Sequence, residues 1–413
     1  MTTDTNGQSL NGHQILPLDV LIVGSGIGGL SAAIACKGKG FSVTILESTP
    51  KYSHVGAGIF LGGNATKVLL DWGLEEDVRQ VSTDLNNNKF ISQTGEILSS
   101  ADYKTLSKEI GYPLLQMHRA DLHDVLLKKA LSLGIDIKMG QVVEKYEVQT
   151  PKAITTDGKV YEADVIFAAD GYRSNARSQL LGRIDEPRPS GNSAYRALIS
   201  TDKLKHYPEL APFLNWTDQT NWVWVGEGCH VVLYLLRHGT VLNIVLTQAA
   251  KNVNDANYVV KVDPAEVIER YKEWDPRLVT MLQHLPKDNT LEWRLCDMEP
   301  MKTWVFPHGK IALVGDACHA VLPSAAQGAG MAIEDGVAVA ELLARVKSKD
   351  EIPAALKAYD ELRIPRCASI MTGARGDAKR WQGKGGKPAS GVTSTWSWEY
   401  DVAGAAREIK LEE

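Results

Sequence analysis

Gly24, Gly26 and Gly29 follow a short apolar run, Asp19-Val-Leu-Ile-Val23, and Glu47 comes about 20 residues after them. These residue types at this spacing suit the binding of a dinucleotide. Gly24 permits a tight turn, Gly26 lets a pyrophosphate approach the backbone, and Gly29 allows a helix to pack closely on the strand. Ile27 and Gly28 open that helix, whose unpaired N–H groups and positive dipole end favour a diphosphate. A carboxylate at position 47 can accept hydrogen bonds from ribose hydroxyls. Two later segments also run from apolar strand to glycine and aspartate. They are Asp164-Val-Ile-Phe-Ala-Ala-Asp170-Gly171-Tyr-Arg173 and Ile311-Ala-Leu-Val-Gly315-Asp316-Ala-Cys-His319, the second followed by Pro323 and Gln327-Gly-Ala-Gly330. No Ser/His/Asp triad and no metal-ligand spacing competes with them.

The elements that must hold these residues follow from hydrophobic pattern. Residues 19–23, 41–46, 164–169 and 310–314 read as buried parallel strands, whose carboxyl ends are where open α/β sheets bind ligands. A helix carrying Leu30, Ile34 and Ala35 ends at Gly40. Another is expected from about residue 331 to 345, with Glu334 and Asp335 in its first turn, where carboxylates are favoured structurally. They are therefore not read as an acid/base pair, and His319 is read as a structural partner.

From about residue 191 the pattern changes to alternation. Runs over 221–225, 230–236 and 241–247, separated by glycine-bearing turns, read as an antiparallel meander. Period two puts His230, Val232 and Tyr234 on one face. Tyr234 is a candidate active-site hydroxyl, and Trp222 and Trp224 read as core. The C-terminal part is expected to be helical over 352–380, and Trp396-Ser-Trp398-Glu-Tyr400-Asp401 is too aromatic for a free tail.

At 413 residues the chain exceeds what one core usually supports, so two joined domains are expected. A net charge of −5 gives no nucleic-acid footprint, and no apolar stretch is long enough to span a bilayer. Five cysteines without a CxxC argue against a disulfide framework and for a reducing compartment, the cytoplasm. Residues 1–17 lack the layout of a signal peptide and read as a flexible arm, and 383–388 as a mobile linker.

Taken in order, the three glycine segments resemble the FAD-dependent aromatic-ring monooxygenases, the class A flavoprotein hydroxylases of para-hydroxybenzoate hydroxylase fold, nearest the salicylate hydroxylase-like branch. The resemblance implies an α/β architecture. A Rossmann-like FAD-binding domain (18–85, 118–185 and 290–346) would be interleaved with an antiparallel-sheet substrate domain (86–117 and 186–289), and 347–413 would form a C-terminal helical segment and tail. It implies FAD as cofactor, with NADPH or NADH as a transient co-substrate that needs no second glycine fingerprint. Residue by residue, it puts Gly58 and Ile59 beside the flavin dimethylbenzene and Arg119 on the cofactor. Asp170 and Arg173 fall beside the diphosphate and the nicotinamide approach, and Asp316 on the ribityl chain. Pro323, Gly328, Ala329 and Gly330 fall at the flavin N1–C2=O edge. Arg196 matches an arginine near flavin and substrate, and His54 is a candidate for proton transfer.

The implied reaction is hydroxylation of a phenolic, salicylate-like small molecule by O2 through a flavin C4a-hydroperoxide. The same chemistry on a larger secondary metabolite is an alternative, as are an FAD oxidase or reductase and a non-catalytic flavin-binding protein. Monomer and homodimer both fit. The chain departs from the family pattern at Gly63, often proline, at Cys318, usually alanine, and at Ser324, usually tyrosine. The last change weakens the simple-acid reading and enlarges the pocket.

Overall fold

The computed structural model describes residues 15–52, 56–251, 258–381 and 395–411. Most of the expected arm, the expected linker and His54 lie outside them.

Five parallel strands form the first sheet, in the order Ile311–Leu313, Val165–Ala168, Asp19–Val23, Ser42–Glu47 and Asp136–Met139. Asp19–Val23 is central, with Val20 opposite Val165 on one side and Val43 on the other. Strands Asp19–Val23, Val165–Ala168 and Ile311–Leu313 are buried almost throughout and are near-unbroken apolar runs, whereas the edge strand Asp136–Met139 is partly exposed and carries charged residues. Helix Ile27–Gly38 packs against helix Gly328–Leu343 within the same core. A Cβ on Gly336 would stand 2.6 Å from the Ala32 nitrogen, so only glycine lets these helices come so close.

The second large sheet has eight strands, ordered Val259–Lys261, Leu291–Asp297, Arg188–Ser200, Val241–Ala249, Cys229–Leu236, Thr220–Gly226, Asn87–Ser92 and Ile97–Asp102. The meander is antiparallel as its alternation requires, but Thr220–Gly226 and Asn87–Ser92 pair in parallel. One face carries a separate core in which Tyr195, Trp222, Trp224, Leu233 and Ile244 meet the helices Pro264–Tyr271 and Pro276–Leu282. The alternate residues point to the opposite face, where the cavity described below lies.

Two expectations need correction. The strand Leu291–Asp297 pairs with Arg188–Ser200, so a boundary at 290 falls one strand too early. The late helix begins at Gly328 rather than near 331, because three small residues continue its first turn. Glu334 and Asp335 thus lie in its second turn, and dipole compensation does not explain them. The long helix Ile352–Trp381 contains Pro365. No helix among the described residues is long and apolar enough to cross a membrane.

Candidate active site

The fingerprint loop is built from backbone. Gly24 has φ +100°, its N–H donates to the Leu46 carbonyl over 2.7 Å, and a Cβ there would lie 2.4 Å from the Ala169 oxygen. A Cβ on Gly29 would lie 1.9 Å from the Gly24 oxygen. Gly26 differs, because a Cβ there would meet nothing within 4 Å. It caps helix Ile27–Gly38 with no side-chain hydrogen bond, and no acidic residue stands in the first turn. Gly28 lies 3.5 Å, measured from its Cβ position, from the Gly315 Cα, which brings the first and third segments together.

Glu47 lies behind the loop. One carboxylate oxygen accepts from the Ser25 N–H (2.9 Å) and hydroxyl (2.5 Å), the other from the Thr49 N–H (2.8 Å). Burial raises its pKa, but the Ser25 and Thr49 hydrogen bonds outweigh burial and hold it below the usual carboxylate range. His123 Nε2, absent from the sequence reading, lies 2.8 Å from the Ser25 carbonyl and supports the same loop.

The remaining cofactor candidates separate into two groups. Arg119 and Asp316 are exposed, at the start of helix Arg119–Ser132 and at the carboxyl end of strand Ile311–Leu313. Asp170 is turned inward and accepts from the Ala176 N–H at 3.1 Å, and burial raises its pKa. Arg173 is exposed and stacked on Tyr258, 4.4 Å from the ring centroid, rather than reaching into the groove. Arg177, four residues on, is the buried arginine of this segment. It pairs with Asp185 at 2.6 Å and donates to the carbonyls of Cys318 and Glu299, tying the second glycine segment to the third.

A cavity of about 590 Å³ lies between the eight-stranded sheet and the start of helix Gly328–Leu343. His230, Val232 and Tyr234 all line it, as period two requires, and Arg196 lines it from the next strand but one, in register with Val245 and Val232. Arg196 Nε is buried with no hydrogen-bond partner, and burial lowers the guanidinium pKa. Burial raises the Tyr234 hydroxyl, with Arg196 nearby opposing it. The same burial pushes His230 down to about 4, so its imidazole is neutral near pH 7. Gly58 passes so close to Tyr234 that a Cβ would fall 2.2 Å from the hydroxyl, and its N–H donates to Asn243 at 3.0 Å. Ile59, Pro323, Gly328 and Ala329 complete this part of the wall, and Gly330 packs beside Asn64. Trp222 and Trp224 lie in the opposite core.

Behind the cavity, Glu334 pairs with Arg363 (2.6 Å) and Arg366 (2.6 Å), and Asp335 with Arg363 (2.9 Å) and His319 (2.5 Å). Burial alone would raise both carboxyls, but Arg363 and Arg366 around Glu334, and His319 and Arg363 around Asp335, hold them low. Cys318, His319 and Asp335 place donor atoms within 4.8 Å of one another, yet both Asp335 oxygens are already taken. Sequence reading missed this network because its partners come from helices far apart in the chain.

These residues fit FAD. Two helix N-termini, at Gly26 and Gln327, lack side-chain caps and acidic first turns, which suits a diphosphate and an anionic flavin edge. The space beside Gly26 is open, and a cavity of ligand size adjoins the second terminus.

A family model described as FAD binding domain matches residues 17–374. The chain is 36% identical over 364 residues to 3-hydroxybenzoate 6-hydroxylase 1 of Aquipseudomonas alcaligenes, covering 86% of this chain and 88% of that one. It is 34% identical over 362 residues to the FAD-dependent monooxygenase OpS4 of Beauveria bassiana (strain ARSEF 2860), covering 86% and 83%. A salicylate hydroxylase substrate complex superposes with a TM-score of 0.79 at 25% identity over 95% of this chain and 97% of that one. With the glycine loops, the parallel sheet and the cavity in place, the chain belongs to the FAD-binding-domain family of class A flavoprotein hydroxylases and is an FAD-dependent monooxygenase.

Proposed function

We propose that this monooxygenase consumes NADPH or NADH and O2 to hydroxylate a phenolic ring whose oxyanion faces Arg196. The observation that carries the reading is Arg196 itself, a guanidinium in the cavity wall whose Nε has no partner. A desolvated, unsatisfied cation is costly unless a ligand completes it. A phenol placed there becomes a phenolate more readily and is then electron-rich at carbon. Tyr234, whose hydroxyl can donate a hydrogen bond to that oxyanion, orients the ring beside Gly58, and the neutral His230 lines the same wall.

When bound, FAD supplies the redox chemistry, taking electrons from the nicotinamide and activating O2. Gly24, Gly26, Ile27, Gly28 and Gly29 would receive its diphosphate and Glu47 its ribose. Arg119 would hold the cofactor from the start of its helix, and Asp316 the ribityl hydroxyls. Pro323, Gly328, Ala329 and Gly330 would hold the flavin edge, and Gly58 and Ile59 would stand beside its dimethylbenzene ring. Asp170 acts through the backbone turn it holds, and Arg173 meets the nicotinamide coenzyme at the surface. The walls exclude water, which would otherwise divert oxygen to hydrogen peroxide. The cytoplasm supplies the coenzyme, and a monomer or homodimer suffices.

The test is NAD(P)H oxidation by the purified holoenzyme across a panel of phenolic acids, with hydrogen peroxide assayed alongside. Acceleration with little peroxide supports the proposal. Acceleration that yields peroxide alone contradicts it for the compounds tried, and no acceleration by any phenol contradicts it for the class.

A further inference from the structure

The cavity has two unlike sides. The ionisable side chains facing the proposed reaction come from the eight-stranded sheet. The other side is made by the long helix and by the C-terminal segment, and it holds rings and small residues. Ser369, Ile370, Gly373 and Ala374 recur at helical spacing on one face of Ile352–Trp381 and line the cavity. A Cβ on Gly373 would meet nothing within 4 Å. Ser324, where the family pattern carries tyrosine, donates its hydroxyl to the Ala374 carbonyl at 2.8 Å, so no ring enters from that position.

Beside this small-residue face, Trp396 and Trp398 also line the cavity. Trp398 is wedged by the Phe60 and Tyr103 rings at 5.3 and 5.9 Å and closes over Gly62, where a Cβ would come within 2.5 Å of its ring. Trp396 keeps 46% of its surface exposed. Its segment is nonetheless fixed, because Arg366 donates to the Ser397 carbonyl at 2.7 Å while its guanidinium lies 3.9 Å from the Tyr400 centroid and 5.1 Å from that of Trp396. A half-exposed indole held in place at a cavity wall, beside a helix face of mostly small residues, is a surface for stacking a flat apolar group.

We infer that Trp396, with Trp398 behind it, selects substrates carrying a second ring, fused or linked to the ring that is oxygenated. This rests on the proposed function only in taking the cavity as the substrate site. The substrate class is thereby a two-ring or larger hydroxyaromatic rather than a single-ring acid.

The experiment compares 2-hydroxybenzoate with 3-hydroxy-2-naphthoate, which differ by one fused ring, binding to the holoenzyme as read from the flavin absorption spectrum. The naphthoate is expected to bind about tenfold tighter. Trp396→Ala should cut that ratio by about 2- to 10-fold, the range of one aromatic contact, while Trp396→Phe largely keeps it. FAD content reports that each variant is folded and loaded. Equal affinities in the wild type, or a ratio untouched by Trp396→Ala, would overturn the inference. So would loss of FAD from Trp396→Ala, because the segment would then serve the cofactor. If both acids bind with the expected ratio but neither accelerates NAD(P)H oxidation, the proposed reaction fails while the second-ring wall stands.

Discussion

The cofactor half and the cavity half of this enzyme solve recognition with different materials. Around the parallel sheet the groups proposed to meet the cofactor are mostly backbone: glycines without side chains, bare helix N-termini, and one carboxylate already held by its own loop. Around the eight-stranded sheet the groups proposed to meet substrate are side chains, Arg196, His230 and Tyr234, delivered from strands that alternate between a closed core and an open wall. A backbone site is the same whatever the neighbouring side chains are, which suits a constant cofactor. A side-chain wall can be rewritten one residue at a time without disturbing the fold, which suits a substrate that differs between relatives.

The sharpest way to break this contrast is a pair of glycine substitutions. Gly29→Ala puts a Cβ 1.9 Å from the Gly24 oxygen and should abolish soluble folded protein. Gly26→Ala meets only open space. The variant should therefore fold with a near-normal melting temperature yet purify largely without FAD. If both variants bind FAD, the backbone account of the cofactor half is wrong.

Next in size is the buried ion-pair network behind the cavity. Arg363→Met removes a shared cation from Glu334 and Asp335, leaving Arg366 and His319 to face two buried carboxylates, and should cost about 3–5 kcal/mol in denaturant unfolding. A loss below about 1 kcal/mol would show that the network does not hold these helices together.

On the cavity side, Arg196→Met should retain FAD and hold or raise the melting temperature, because it removes a desolvated guanidinium whose Nε has no hydrogen-bond partner. Substrate KM should rise roughly 10- to 100-fold, the worth of a charged hydrogen bond. An unchanged KM would mean that Arg196 does not face the substrate.

The last effect is pH-dependent and spread over more than two pH units. His230 titrates near 4 in the folded chain against about 6.5 when unfolded, so below pH 6.5 the unfolded chain binds a proton that the native one does not. Stability should fall by up to about 3 kcal/mol as pH drops from 6.5 towards 4. His230→Asn should flatten that slope. The depressed Glu334 and Asp335 act lower, because their stabilisation is complete above the ordinary carboxylate range and lost only as pH falls through their lowered values.

The same contrast explains what the sequence disclosed. Gly24, Gly26, Gly29 and Glu47 act within one strand–loop–helix–strand stretch, so their spacing is informative by itself. The shared face of His230, Val232 and Tyr234 was also legible, since alternation is local. Arg366 and the Trp396 wall were not, because each acquires its role from a partner far along the chain. The motif alone did not disclose that Arg173 lies at the surface over Tyr258, a residue far along the chain. Glu334 and Asp335 were rightly read as structural but for a mistaken reason, since the helix begins a turn earlier and arginines neutralise them. His54 lies outside the described residues, and the structure assigns it no place.

The central claim is that oxygen from O2 is inserted into a ring held at Arg196. The direct measurement is turnover of an accepted phenol under heavy-isotope dioxygen, with mass analysis of the product from wild-type and Arg196→Met enzyme at equal substrate concentration below KM. One heavy oxygen atom per product, formed far more slowly by the variant, is the predicted result. Product without heavy oxygen, or labelled product at an undiminished rate in the variant, would contradict it.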